Sequence, residues 1–383
     1  MITTVKTPGK LMLAGDWSVL EPSNHSIVMP INKYVTVTVQ KNSSLTVHAP
    51  DIYRDTIDIS WQSPQITIIT QLSHEQQKTF LTVQKALEVV LSYIQEQNQE
   101  YSEHRETHEI EPFALTINSE ISNLKLPDGT ITKPGLGSSA AVTVGIITAV
   151  LDFHNFDITS SIAKNIIFKL SYLAHIQSQS VMGSGFDIAV CTYEKVIIYQ
   201  RFDPVWLVKK IQTTPSLTDL ITAKWPQLTI APIIIPKDLR VLIGFVGKSA
   251  QTGDLISRVQ NFKKNNPEKY RELMRSLDHV VKDLIEKFTQ DNTHENNHKN
   301  IIELIKQHRN LLKTLSEYCD NKLETPELTQ LITIAEQYGA GAKFSGAGGG
   351  DCGIAICFDE QTEENIKASW RENNIIPLDI TII

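Results

Sequence analysis

The run Lys133-Pro134-Gly135-Leu136-Gly137-Ser138-Ser139-Ala140-Ala141 has the residue types of an anion cradle. Gly135 and Gly137 permit backbone conformations that side chains forbid, so the chain can wrap closely around a ligand. Pro134 stiffens the approach. The apolar run that follows, to Leu151, reads as a helix with Ser138 or Ser139 as its cap. Free N–H groups and the positive end of the helix dipole meet at such a loop and favour a phosphate there. The two hydroxyls add hydrogen bonds and one candidate ligand for Mg2+. Neither common phosphate motif fits: no Lys precedes the hydroxyl pair as a P-loop requires, and Ala140 stands where GxGxxG needs its third glycine.

Two further segments carry chemistry. In Pro8-Gly9-Lys10-Leu11-Met12-Leu13-Ala14-Gly15-Asp16-Trp17-Ser18-Val19-Leu20, a Pro-Gly turn can aim the Lys10 ammonium into a cleft. In Lys343-Phe344-Ser345-Gly346-Ala347-Gly348-Gly349-Gly350-Asp351-Cys352-Gly353, the N–H groups of a glycine-rich nest can hold an anion without side-chain help. Asp187 follows Gly183-Ser184-Gly185 at the head of an otherwise apolar element. A carboxylate there is partly desolvated, and a neighbouring lysine would keep it ionised. Taken singly, Lys10 is a solvated lysine, Asp187 an N-cap and the third loop a hairpin. Taken together they supply what phosphoryl transfer needs, which is charge neutralisation, in-line positioning and help for the attacking oxygen.

In order and spacing the three glycine-bearing segments match the signature motifs of the GHMP kinases, and the chain resembles that family over nearly its whole length. Gly183-Ser184-Gly185-Phe186-Asp187-Ile188-Ala189 after Ala174-His175, the strand Leu242-Ile243-Gly244-Phe245-Val246-Gly247, and the Ala-Gly-Gly-Gly-Asp-Cys-Gly of the third motif resemble its phosphomevalonate kinase branch most. The resemblance implies an α+β, two-domain fold with a cleft between the lobes: an N-terminal α/β domain bearing the glycine-rich phosphate loop, and a ferredoxin-like C-terminal domain. It implies ATP and Mg2+ as cofactors and a phosphorylated small molecule as acceptor. Lys10 and Asp187 would be catalytic. Pro134, Gly135, Leu136, Gly137, Ser138, Ser139 and Ala140 would bind the nucleotide phosphates, with Ser139 on the metal. Asp16, Ser18, Ser184, Gly185, Ser345, Gly346, Ala347 and Gly348 would line the acceptor side. Ile176 departs from the mevalonate kinase pattern, which has a metal-binding Glu there. Lys6, Lys133, Arg201, Lys248 and Lys343 are the candidate cations for an acceptor phosphate. An alcohol acceptor, or a non-catalytic sensor of ATP and metabolite, are the alternatives.

The elements that must position these residues follow from periodicity. Tyr34 to Val39 alternates as a strand, Thr79 to Gln97 repeats its apolar residues as a helix, and Thr159 to His175 reads as a second helix. The polar tract 95–111 reads as a loop. Residues 1–203 form the expected first domain, 204–235 a connector within the five-proline stretch from Asp203 to Pro236, and 236–383 the second domain. Within the latter, 251–288 and 300–318 read as helices separated by a polar stretch, and 377–383 as a last strand. The 383 residues suffice for two cores. A formal net charge of −7 argues against a nucleic-acid partner. Cys191, Cys319, Cys352 and Cys357 lack metal or disulfide spacing, and no run reaches the roughly 18 apolar residues of a membrane span. A cytoplasmic monomer or homodimer is expected. His294 and His298 have the spacing of helical metal ligands but lie in an Asn-rich tract that reads as solvated.

Overall fold

The β-branched residues near the N-terminus build two long antiparallel strands, β1 (Ile2–Ala14) and β2 (His25–Lys41). On β2 the buried Val35, Val37 and Val39 alternate with partly exposed neighbours, as one buried sheet face requires. The β1–β2 register shifts between Pro8 and Gly9. The shift skips Asn32 and Lys33 of β2, so the irregularity bulges β2 opposite Pro8–Gly9, which stays inside one continuous strand rather than making a turn. The computed structural model describes residues 2–100, 110–122, 124–126, 129–132, 134–179, 182–247, 252–290, 295–319 and 323–383.

Around this pair the first sheet adds β3 (Thr46–His48), β4 (Thr56–Gln62), β5 (Gln65–Ile68), β6 (Phe113–Ser119), β9 (Ile197–Gln200) and β10 (Thr229–Pro232). The order is β10-β9-β2-β6-β3-β4-β5, with β1 on β2. A small hairpin, β7 (Leu124–Lys125) and β8 (Ile131–Thr132), leads to the phosphate loop. Helices α1 (His74–Glu100), α2 (Ser138–Phe153) and α3 (Ser161–Gln179) pack on one another, and α2 lies on β1 and β2. The short α4 (Phe186–Tyr193) fits between α2, α3 and β1. The expected connector is not one. It holds α5 (Pro204–Thr213), α6 (Leu217–Thr222) and β10, which extends the first sheet by pairing with β9. Pro204 sits at the start of α5 and Pro232 on the edge strand β10, where a missing N–H costs least.

The second domain runs β11 (Arg240–Phe245), α7 (Thr252–Asn265), α8 (Pro267–Thr289), α9 (Glu295–Tyr318), α10 (Pro326–Gln337), β12 (Gly341–Phe344), β13 (Cys352–Cys357), α11 (Glu360–Glu372) and β14 (Ile376–Pro377). Its antiparallel sheet has the order β12-β13-β11-β14, the ferredoxin-like arrangement. The single helix expected over 251–288 is two, because Pro267 suits the first position of a helix but not its interior. Residues 295–299 of the polar stretch before residue 300 belong to α9, while 291–294, and with them His294, lie outside the described residues. So do residues 101–109, most of the other tract read as a loop. Among the described residues no helix is long and apolar enough to cross a membrane, and all four cysteines are free and buried.

The two domains share a seam. Helix α8 of the second packs on β2 of the first. After β14 the chain does not continue as a strand of its own sheet but returns to β2. There Asn32 N–H donates to the Thr381 carbonyl at 3.0 Å, and Ile31 forms a bridge with Ile382. Leu378 and Ile380 are buried in the core on the way. Ile380→Ala is expected to cost about 2–5 kcal/mol in urea unfolding, the usual range for a truncated buried Ile. Ile383→Ala, at a residue 45% exposed, should stay within about 0.5 kcal/mol.

Candidate active site

The phosphate loop and Lys10 are built against each other. The Lys10 backbone N–H donates to the Leu136 carbonyl at 2.8 Å, and Lys10 Nζ donates to the Gly135 carbonyl at 2.8 Å. The Phe186 ring lies 5.6 Å from the same ammonium. Gly137 adopts φ 86°, and a Cβ there would stand 2.6 Å from Lys10 Cγ, so both conformation and space demand glycine. Neither Ser138 nor Ser139 caps α2. Gly137 occupies the N-cap position with no side-chain bond, Ser138 is buried, and Ser139 Oγ meets Gln179 Nε2 of α3 at 3.4 Å. Elsewhere Asp203, Ser216, Thr325 and Asp359 cap α5, α6, α10 and α11 with their side chains. The N–H groups at the start of α2 are left for something else.

The second helix left without a side-chain cap at a glycine is α4, which carries Asp187 in its first turn behind Gly185 at φ 87°. A buried set of side chains holds the approach to it. Tyr172 donates its hydroxyl to the Gly183 carbonyl at 2.9 Å, and Tyr199 to that of Ser184 at 2.5 Å. Arg201 reaches the carbonyls of Met182 and Gly183 with one guanidinium nitrogen and that of Leu20 with another. A Cβ on Gly185 would meet the Tyr172 ring at 2.9 Å. One turn along α4, the Cys191 thiol donates to the Pro8 carbonyl, which ties the helix to β1 at its register shift. Burial pushes that thiol well up, Asp187 pushes it further, and Lys10 opposes. The charges of Lys10 and Asp187 thus both act on the same buried thiol, yet no ion pair among the described residues joins them, and the Lys10 ammonium rests on the phosphate loop.

The third loop docks on the first. Asp16 and Lys343, both with fully buried side chains, pair at 2.7 Å, and the other Asp16 oxygen accepts from Gly346 N–H at 2.6 Å. Burial pushes the Asp16 carboxyl up and the Lys343 ammonium down, and each opposes the shift of the other. Ser345 Oγ donates to the Met12 carbonyl and accepts from the Met12 N–H, while Trp17 donates its indole N–H to the Ala347 carbonyl. Gly15 N–H donates to Nε2 of the buried His308 on α9 at 3.0 Å. Gly348 sits at φ 78° because a Cβ would lie 2.4 Å from the Leu323 carbonyl. Finally Asp351, at the end of the loop, accepts the Gly135 N–H on Oδ2 at 2.7 Å. All three motifs thereby converge on one place.

Both halves of this arrangement match known families. The model of the GHMP kinases N terminal domain matches residues 83–195 and that of the GHMP kinases C terminal domain residues 284–376, together more than half of the chain. The chain belongs to the GHMP kinases. A phosphomevalonate kinase of Streptomyces sp. (strain CL190) is 26% identical across 98% of this chain and 95% of its own length. A mevalonate kinase of Thermococcus sibiricus is 26% identical across 95% and 91%. The solved complex of Streptococcus pneumoniae phosphomevalonate kinase with phosphomevalonate and AMPPNP has the same fold, with a TM-score of 0.79 at 24% identity over 99% of each chain.

For a GHMP kinase of this sequence, several residues expected on the acceptor side serve other ends. Asp16 is 1% exposed and both its oxygens are taken, so it is a strut between domains. Ser18 is buried and donates to the Gly15 carbonyl. Ser184 is held through its carbonyl, Lys343 is consumed by Asp16 and Arg201 by three carbonyls. Lys6 is exposed on β1, and Lys133 and Lys248 lie outside the described residues. His298 stacks on Phe358 and pairs with Asp238. Sequence reasoning missed the roles of Tyr172, Tyr199, His308 and Cys191, whose partners are backbone atoms, those of His308 and Cys191 far along the chain. It also gave Asp351 no role, although a lone carboxylate in a run of glycines was a signal.

Two outcomes are expected. Lys343→Met leaves the buried Asp16 unpaired and should destabilise the fold by about 3–5 kcal/mol in chemical unfolding. His308 is held well below its ordinary range, by burial first and the Lys343 charge second. The unfolded chain therefore takes up a proton near its usual pKa that the folded chain refuses, and stability falls as pH drops below about 6.5, by up to about 1.4 kcal/mol per unit. His308→Gln, which keeps an acceptor for Gly15 N–H, should remove that acid slope when unfolding is followed from pH 7 to 5.

Proposed function

We propose that this GHMP kinase transfers the γ-phosphoryl group of ATP to the phosphate of 5-phosphomevalonate, giving the diphosphate and ADP. The observation that carries this reading is the placement of Lys10 on the glycine-rich loop, with Asp187 in the first turn of the uncapped α4, in a chain akin to a phosphomevalonate kinase over nearly its whole length. In this reading the N–H groups of the loop from Pro134 to Ala140 and the uncapped start of α2 receive the nucleotide phosphates. The Lys10 ammonium then exchanges the Gly135 carbonyl for the charge that builds on the transferring group. Asp187, at the uncapped start of α4, orients the acceptor. A phosphate oxygen is already largely ionised at neutral pH, so Asp187 has less to do as a base than it would for an alcohol, and Lys10 carries more of the barrier.

The donors suit Mg2+, a hard cation that arrives with phosphates and takes oxygen ligands. Ser139 offers its hydroxyl at the start of α2, and the buried Oδ1 of Asp351 has no partner among the described residues. Ser139 would hold the ion, which would neutralise phosphate charge. In this reading Gly185 lines the acceptor side, while Ser184 and the nest of Ser345, Gly346, Ala347 and Gly348, whose contacts lie within the protein, frame it.

Kinship to a mevalonate kinase favours one second reading, the same chemistry on an alcohol. ADP release measured with Mg-ATP and either 5-phosphomevalonate or mevalonate separates them. Preference for the phosphorylated acceptor is expected; turnover with mevalonate alone would overturn the substrate. Lys10→Met and Asp187→Asn should each lower kcat at least about tenfold with the fold intact. Wild-type turnover in either would sink the proposed roles.

A further inference from the structure

Among the described residues, Asp351 is the one carboxylate bonded to the phosphate loop, and it comes from the opposite domain. Its Oδ2 accepts the Gly135 N–H at 2.7 Å, and a Cβ on Gly135 would stand 2.5 Å from that oxygen. Its Oδ1 is buried and has no hydrogen-bond partner among the described residues. The backbone beneath is fixed: the Asp351 carbonyl accepts from Val246 N–H at 3.0 Å, and the residue holds φ 67° after three glycines that also have positive φ. Asp and Asn tolerate that left-handed conformation better than most side chains. Lys10 is the cation whose field reaches it.

A carboxylate on a phosphate loop has the wrong charge for a bare nucleotide and the right charge for a cation travelling with one. Across from it, α3 presents Gln179 to Ser139, with Ile176 one turn earlier, an amide and an aliphatic residue rather than an acid. We propose that Asp351 is the residue by which this enzyme selects metal-bound over metal-free nucleotide: it rests on Gly135 N–H when the loop is empty, and leaves it for the cation or a water of the cation's shell. The second domain thereby reports whether the first holds a complete metal–nucleotide. This rests on the reading of 134–140 as the nucleotide phosphate site.

The test is calorimetric titration of the full chain with ADP, in Mg2+ and in EDTA. It compares wild type with Asp351→Asn and Asp351→Gly, both at ease at φ 67°, so one variant serves if the other does not fold. Wild type should bind ADP more tightly with Mg2+. Both variants should lose at least about tenfold of that preference, with EDTA-treated ADP bound as tightly as by wild type or more so. A merely structural defect would weaken both forms alike and leave the ratio unchanged. A ratio kept within twofold overturns the proposal, as does a wild type with no preference for the metal form. A wild type that binds no ADP in either condition overturns the nucleotide reading itself.

Discussion

The contact on which the rest leans is the ion pair of Asp16 and Lys343. Two opposite charges with fully buried side chains meet at 2.7 Å, one from the end of β1 and one from β12 of the other domain. Such a pair is a poor source of stability, because desolvating both ions costs about what their attraction returns. What it sets is register. The Asp16 oxygen not on Lys343 holds Gly346 N–H, and from there the third loop runs through Ala347 and Gly348 to Asp351 on the phosphate loop. A shift of β12 by one residue would leave a buried charge unpaired and carry the glycine nest away from Met12 and Trp17. The pair therefore selects one docking of the domains out of many that hydrophobic burial alone would allow.

The site departs from local rules where a ligand is expected to complete it. Four helices end in side chains that satisfy their first N–H groups, yet α2 and α4 begin at left-handed glycines with none. An unsatisfied helix start weakens a fold, and it persists here because surrounding contacts over-determine the loops. Lys10 and Leu136 lock one; Tyr172, Tyr199 and Arg201 lock the other. The aromatic pair pays for its burial with hydrogen bonds to the very carbonyls that would otherwise let the 182–185 segment relax.

Much of this was legible in the chain, and the reasons for the rest are specific. The three glycine-bearing motifs, Lys10 and Asp187 announce themselves because residue type and spacing carry their meaning locally. Alternation made β2 visible, and the 3.6-residue period marked α1 and α3, with ends off by a few residues. The errors lie where tertiary context decides. Pro8-Gly9 looks like a turn until β2 is seen pairing on both sides of it. Proline-dotted residues 204–235 look like a linker because the strand within them, Thr229–Pro232, is short and gains its place only from β9. Asp16 and Lys343 read as ligands for a substrate because nothing in the sequence says that they face each other, 327 positions apart, with no solvent between them.

That same burial constrains how the enzyme can move. Access for substrate to a cleft between lobes invites a hinge, yet separating these two domains along β1 and β12 would expose a bare carboxylate and a bare ammonium together. It would also strip the C-terminal tail from β2, where Asn32, Thr381 and Ile382 zip the domains a second time. Two seams of this kind, one electrostatic and one a strand pairing, make the interface behave as part of the core. Motions that admit nucleotide and acceptor are then confined to groups that hold single, replaceable contacts. The Lys10 ammonium on the Gly135 carbonyl and the Asp351 carboxylate on the Gly135 N–H are of that kind, each one hydrogen bond that a charged ligand can outbid. The rigid frame and the exchangeable contacts meet on the same glycine, so binding can redirect two charged side chains without disturbing the fold that aims them.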